Sequence, residues 1–356
     1  MDRFSQFALA YQHMADEQSR RWFEARLAYA VTGDQYCIFD NVKQDEPQFH
    51  GWDLVYLQTM MEQTHKSKLL LMGAGGDGRY TAYILQHSPL ADNLKGFLDD
   101  DGQLQGTCVC GLPVFSPLDA PRYSDEHIII IASRQYGRGM YECLTRAGVP
   151  QSALYVSAFG IFTAGYGHQY FDVFQPREHE VFVDAGCCDA STSLEFVQWC
   201  HGHYDKIYAF EGSQALAKEC EAVFQREQVR DYQMIPKACW KETGMVGFSD
   251  DLQSVRGNSA HITGQAGDVP AASIDGILGG TIATFIKMDI EGAEYEALQG
   301  ARNTIQKYHP RLAISIYHKP MDVLYIPSYL MQLHEGYRFY IRHYCSRRWE
   351  TVLYAE

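Results

Sequence analysis

Positive charge is scarce in this chain. Its 30 Lys and Arg face 44 Asp and Glu, for a formal net charge of −14. A general nucleic-acid binder needs a basic footprint. The densest basic stretch here is only Arg342-His343 with Arg347-Arg348. No nucleic-acid partner is therefore expected, and the acidic balance favours a soluble, self-repelling surface. A run of about 18 apolar residues is also missing, so neither a membrane span nor a membrane partner is expected. The opening MDRFSQFALAYQHMADEQSRRW has no apolar h-region and breaks into charge early, which predicts no signal peptide. A cytoplasmic location follows as the expectation, with the ten cysteines held as reduced thiols. None of them forms a C-x-x-C pair. Cys108 and Cys110 are one residue apart and Cys187 and Cys188 are adjacent, spacings that suit zinc poorly.

The length of 356 residues exceeds what one core usually serves, so two domains are expected. Three blocks emerge. Residues 1–66 read as a helical lead, with apolar residues at spacings of three and four, Gly33 placed to end a helix, and a second helix from Trp52 to Thr64. Residues 67–165 alternate strand and helix. HIIIIAS is an unbroken β-branched run of the kind buried on both sheet faces. Residues 170–356 repeat the alternation through VFVDAG, KIYAFEG, YQMIPKACW, ATFIKMDI and RLAISIYH, and close with YRFYIRHY and ETVLYAE, a pair suited to a hairpin across the polar CSRRW. The fold class expected is α/β, with two Rossmann-like domains and a helical lead.

The first glycine loop, Gly73-Ala-Gly75-Gly-Asp-Gly78, fits G-x-G-x-x-G, with a strand before it and a helix after. Asp99 ends the next strand, where an acid takes ribose hydroxyls. Gly73, Gly75, Gly78 and Asp99 therefore form a candidate second nucleotide site. The competing reading is structural, because doubly wound sheets keep such turns without a ligand. This block resembles small nucleotide-binding domains that precede some sugar-modifying enzymes, through Gly96 to Asp100 and Gly111 to Val114.

In the third block, Asp184, Glu211, Asp289, Glu291 and His318 fall at strand ends, the edge where open α/β sheets bind ligands. Each alone has a dull explanation as a helix cap or a solvated group. Together they point to a ligand rim, with Glu211 placed for a ribose and Lys237-Ala238 for an adenine edge.

FIKMDIEGAEYEALQGA and PRLAISIYHKPMDVLYIP, with VDAG, AFEG and SIDGIL, resemble the FkbM family of S-adenosylmethionine-dependent methyltransferases. The Lys-x-Asp-x-Glu-Gly-x-Glu run is the most specific match. The resemblance covers residues 180 to 356. It implies a class I methyltransferase fold, a seven-stranded sheet whose last strand runs antiparallel, and methyl transfer to a hydroxyl of a sugar, glycan or natural product. By the same resemblance Asp184 and Gly186 frame the methionine part of S-adenosylmethionine and Glu211 holds the ribose. Ser191, Lys237, Ala238 and Asp289 complete the cofactor set. Lys287, Asp289, Glu291 and His318 face the methyl donor and acceptor. His318 is the first candidate for general base, with Asp289 or Glu291 second. Asp289, Glu291 and His318 are alternatively a ligand set for a divalent metal.

Two residues depart from the family pattern. Ala190 stands where glycine is usual, and Gly212 where proline usually follows the acid. The partner implied is a small-molecule or glycan acceptor, and a homo-oligomer is compatible with the sequence. Two other functions fit less of it. One is a non-catalytic scaffold or sensor that keeps the cofactor. The other is a nicotinamide-dependent oxidoreductase using the first glycine loop.

Overall fold

The computed structural model describes residues 3–34, 36–45, 54–133, 136–156, 168–250, 260–262, 267–344 and 348–356. Trp52, Arg347 and most of the polar CSRRW link lie outside the described residues. The chain divides into two compact units, one of residues 42–166 and one of residues 1–41 with 167–356. No described helix is long and apolar enough to cross a membrane.

In the first of these units, strands β1 (Lys68–Met72), β2 (Leu94–Leu98), β3 (Cys108–Val109), β4 (Leu112–Phe115), β5 (His127–Ile131) and β6 (Leu154–Val156) form one sheet in the order β3-β4-β2-β1-β5-β6. All its pairings are parallel except β3 on β4. Side chains alternate across a strand, and here both faces are covered. Leu69, Leu71, Ile128 and Ile130 pack in one cluster, and Leu70, Met72, Ile129 and Ile131 in another. That is why HIIII reads as a continuous apolar run.

The larger unit holds strands β7 (Val181–Ala185), β8 (Lys206–Phe210) and β9 (Tyr232–Ile235). Short strands follow: β10 (Ala238–Cys239), β11 (Gly244–Val246), β12 (Phe248–Asp250), β13 (Ala260–Ile262) and β14 (Val269–Ala272). The last four are β15 (Phe285–Met288), β16 (Arg311–Ser315), β17 (Phe339–His343) and β18 (Thr351–Ala355). The main sheet runs β17-β18-β16-β15-β7-β8-β9, and only β18 opposes the rest. The terminal pair is the hairpin the sequence suggests, except that β18 inserts between β16 and β17 instead of adding at the edge. The short strands make two small sheets, β10-β14-β11 and β12-β13, in the stretch rich in Gly, Ser and Asp. At the amino ends of β7 and β16, the buried side chains of Glu180 and Arg311 pair, with Phe174, Trp199 and Phe285 around the guanidinium.

The helical lead divides between the units. Residues 1–41 group with the larger one because the helix Glu17–Thr32 docks on β17. Ser19, Trp22 and Arg26 share its buried face at spacings of three and four. Ser19 Oγ accepts the Ile341 amide at 3.0 Å, Trp22 stacks on His343, and Arg26 donates to the Arg348 carbonyl at 2.6 Å and the Ile316 carbonyl at 3.2 Å. Asp16 caps the helix by accepting from the Ser19 amide at 2.8 Å, and Gly33 ends it at φ 71°.

Asp16 also pairs with Arg342 at 2.6 Å. Burial alone would raise its carboxyl, but Arg342 and Ser19 outweigh that and hold it at about 2. A depressed carboxyl adds stability above its unfolded value, near 3.9, and that stability is lost as pH falls through the folded value. Asp16→Ala should cost about 1 kcal/mol near neutral pH, mostly the lost cap, since the ion pair is partly exposed. Urea unfolding should show that deficit shrinking steadily from pH 5 towards pH 2. A deficit independent of pH would remove the ion pair from the account.

Candidate active site

The site begins where β7 ends. Asp184 and Lys287 are directly opposite in the β7–β15 register, and both side chains are buried. Lys287 Nζ donates to Asp184 Oδ1 at 3.0 Å and to the Gly186 carbonyl at 2.8 Å. Ser193 Oγ donates to Asp184 Oδ2 at 2.7 Å. Burial would lower the Lys287 ammonium, but the charges of Asp184 and Asp289 outweigh it and raise it, so the lysine stays charged. These two residues thus face each other and the turn. Lys287 was expected towards the methyl donor and acceptor, and Asp184 beside the methionine. Their charged atoms instead point inward, because each is the other's counter-charge in a place water does not reach.

Gly186 follows at φ +83°, and a Cβ there would stand 2.1 Å from the Asp289 carbonyl oxygen. Only glycine permits that approach. Cys188 and Ala190 also have positive φ, at 50° and 68°, and Ala190 is fully buried just before the helix Ser191–Trp199. The loop carries the Cys188 amide to Glu211, whose Oε2 accepts it at 3.2 Å while Oε1 accepts the Ser213 amide at 2.8 Å. Glu211 is half-buried at the end of β8, and burial pushes its carboxyl up. Ser191 is exposed, with its amide on Asp189. Lys237 is half-buried between β9 and β10, and Ala238 is buried in β10.

The second half of the rim lies past β15 and β16. Asp289 accepts from the Tyr170 hydroxyl at 2.8 Å and the Tyr317 hydroxyl at 3.1 Å, and it keeps 23% of its side chain exposed. Burial alone would raise its carboxyl, but His318 and Lys287 hold it below the usual range. His318 Nε2 lies 3.5 Å from Asp289 and 3.4 Å from Glu291, and Nδ1 lies 2.9 Å from Glu294. Burial alone would lower the imidazole, yet Glu294, Glu291 and Asp289 together raise it well above its ordinary value. These acids favour the protonated ring over the neutral form that the expected general base needs. Glu291 sits at φ 55°, a conformation costly for a side chain of that size.

Asp289, Glu291 and His318 are thus together, and Lys287 is beside them but turned away. The sequence reading missed four members of this group. Glu294 is fully buried, Asp322 is buried with its carboxyl pushed up to about 7 by burial and by Glu294, and Tyr170 and Tyr317 bracket Asp289. Glu294 had a signal, as the last acid of the Lys-x-Asp-x-Glu-Gly-x-Glu run. Tyr170 had none, since it precedes the first strand of the sheet and reaches Asp289 only through the fold.

In the smaller unit the first glycine loop has its expected shape. Gly73 is at φ +95°, and a Cβ on Gly78 would stand 1.8 Å from the Gly73 carbonyl oxygen. Gly75 opens the helix Gly76–Gln86 with free space around it. Asp99 is buried and tied to its own loops, accepting the Ala74 amide at 2.6 Å and the Asp101 amide at 2.9 Å.

A seven-stranded sheet with one reversed strand next to the edge, and acids at the carboxyl ends of its parallel strands, defines a class I methyltransferase fold. Residues 184–339 match the model of the Methyltransferase FkbM domain. The solved structure of a methyltransferase FkbM from Methylobacillus flagellatus is 19% identical, covering 84% of this chain and 93% of its own, with a TM-score of 0.53. More distant similarity reaches an rRNA methylase from Streptococcus thermophilus, 13% identical over 50% of this chain and 86% of that one, TM-score 0.33. A precorrin-6y C5,15-methyltransferase from Geobacter metallireducens is 12% identical over 51% of this chain and 79% of that one, TM-score 0.31. No curated protein matches the chain.

Two stability measurements test the loop. Lys287→Met should destabilise by roughly 3–5 kcal/mol, because it strands the Asp184 carboxylate in the interior. Adding Asp184→Asn should recover part of that loss, and strict additivity in urea unfolding would show that the pair does not act as a unit. Ala190→Gly relieves a left-handed alanine, worth about 1–2 kcal/mol, and loses one buried methyl, worth about 0.8 kcal/mol. The net expectation is a gain of up to about 1 kcal/mol by the same measurement, and a clear loss would show that packing of the methyl dominates.

Proposed function

We propose that the larger unit is an S-adenosylmethionine-dependent O-methyltransferase whose acceptor is a hydroxyl of a sugar, glycan or natural product. Glu211 carries this reading. It is a half-buried carboxylate at the end of β8, fixed from both sides by the amides of Cys188 and Ser213, and next to the turn at Gly186. That is the geometry for taking both hydroxyls of a ribose. In this reading Gly186 and Ser191, which follow β7, take the methionine side, and Lys237 and Ala238, which follow β9, take the adenine side. The match to the FkbM domain supports methyl transfer, and the acids on the far half of the rim, which can take a proton, favour a hydroxyl acceptor.

When bound, S-adenosylmethionine supplies a methyl group on a sulfonium, whose carbon–sulfur electron pair stays on sulfur as the carbon–oxygen bond forms. The chain's part is positioning and proton removal. Asp289, held ionised and aimed by two phenols, orients the acceptor hydroxyl. Glu291 takes its proton. It is a carboxylate on the open side of His318, on a strained backbone that aims it at the rim. While its ring is protonated, His318 stands behind both acids and keeps their negative charges in one small space.

Calorimetry with S-adenosylmethionine tests the reading in order. The folded chain should bind it, and Glu211→Ala should bind at least tenfold more weakly. Glu291→Gln should keep its affinity and lose turnover in a radiolabelled methyl-transfer screen on cell glycans. No binding by the folded chain ends the proposal, and full turnover by Glu291→Gln moves the base elsewhere.

A further inference from the structure

We propose that Asp289, Glu294 and His318 form a binding site for one divalent first-row cation, with Glu294 in place of the Glu291 that strand-end placement alone suggests. A ligand atom from each of the three lies within 4.8 Å of the other two. Glu294 is the decisive member. Its side chain is fully buried, Oε1 accepts the Ile290 amide at 2.9 Å, and Oε2 has no hydrogen-bond partner. His318 Nδ1 is buried 2.9 Å from Glu294 Oε1, and a cation taking this nitrogen would displace the ring proton that the acids favour there. A fully buried carboxylate oxygen without a hydrogen bond is costly unless something else satisfies it.

The local charge points the same way. Four carboxylates, Asp289, Glu291, Glu294 and Asp322, surround one imidazole. The nearby lysines are engaged elsewhere. Lys287 donates to Asp184 and to the Gly186 carbonyl, and the half-exposed Lys319 reaches Glu296 at 3.4 Å. A divalent cation would balance this surplus.

The donor set of one imidazole nitrogen and two carboxylates suits Mn²⁺ or Zn²⁺ better than the all-oxygen shells of Mg²⁺ and Ca²⁺. Tyr170 and Tyr317, both donating to Asp289, are the outer partners that fix a ligand's direction. Asp289 is also the most exposed of the three, so the open coordination position faces the rim. A cation there would lower the pKa of an acceptor hydroxyl and ease loss of its proton to Glu291. That use rests on the methyltransferase reading, whereas the binding itself does not.

The test uses the full chain, stripped with a chelator and titrated with MnCl₂ by calorimetry and electron spin-echo spectroscopy. One Mn²⁺ per chain is expected, with nitrogen modulation from an imidazole. Affinity should fall at least tenfold in Glu294→Gln and in Asp289→Asn, and stay unchanged in Glu211→Ala. Circular dichroism checks each fold, and if Glu294→Gln does not fold, Asp289→Asn and the nitrogen modulation decide. Absence of saturable Mn²⁺ binding overturns the proposal, as does binding that both folded acid variants retain. Mn²⁺ binding without S-adenosylmethionine binding would uphold the cation site and defeat the methyltransferase reading, and the reverse result would do the opposite.

Discussion

The ion pair between Asp184 and Lys287 is the constraint on which the rest of the site depends. Two charges are taken out of water at the end of adjacent parallel strands. Such a pair adds little net stability, because desolvation consumes most of the attraction. What it adds is specificity. A slip of one residue between β7 and β15 would leave both charges buried and unpartnered. Lys287 also holds the Gly186 carbonyl and Ser193 holds the other oxygen of Asp184, so the pair fixes both the turn and the first helix after it. With the turn fixed, the Cys188 amide reaches Glu211, and a carboxylate at the end of β8 becomes an oriented acceptor.

The same pair links the two halves of the rim. Gly186 lacks a side chain where the Asp289 carbonyl passes, so the ends of β7 and β15 can close on each other. Asp289 then stands between Lys287 on its inner side and His318 on its outer side, and both lower its carboxyl. The outer group is a concentration of acid that even a protonated His318 only partly offsets. Glu294 and Asp322 are buried in it, and Glu291 accepts a strained backbone beside it. Arrangements of that kind persist where the surrounding packing over-determines them, and they collect at functional sites.

Much of this frame was legible in the sequence, for physical reasons. A strand buried on both faces must be apolar throughout, so HIIII and VFV announce themselves. The carboxyl ends of parallel strands are where an α/β sheet meets ligands, so Glu211, Asp289 and His318 could be placed on one rim before their distances were known. What sequence could not supply was direction. Lys287 and Asp289 are two apart, and only the cross-strand register shows that Lys287 has Asp184 for a partner. Tyr170 meets Asp289 across 119 positions of sequence. Arg26 is buried with its guanidinium on two backbone carbonyls, a destination that helical spacing does not specify. The helical period gave the helix but not the sheet it would cover.

Ala190 shows how these levels meet. Its place in the pattern suggested a position that wants glycine, and the structure puts it at φ 68°. The loop does not relax around the alanine because it is held from both ends. The Ala190 amide donates to the Cys187 carbonyl at 2.7 Å, and its own carbonyl accepts the Leu194 amide at 3.0 Å in the first turn of the helix. Beneath it, Ser193 is tied to Asp184. The buried methyl adds packing that partly offsets the backbone cost. A worn glycine pattern is therefore compatible with a formed loop. The backbone path is set by the Asp184–Lys287 pair and the helix start, and glycine at this position eases that path without determining it.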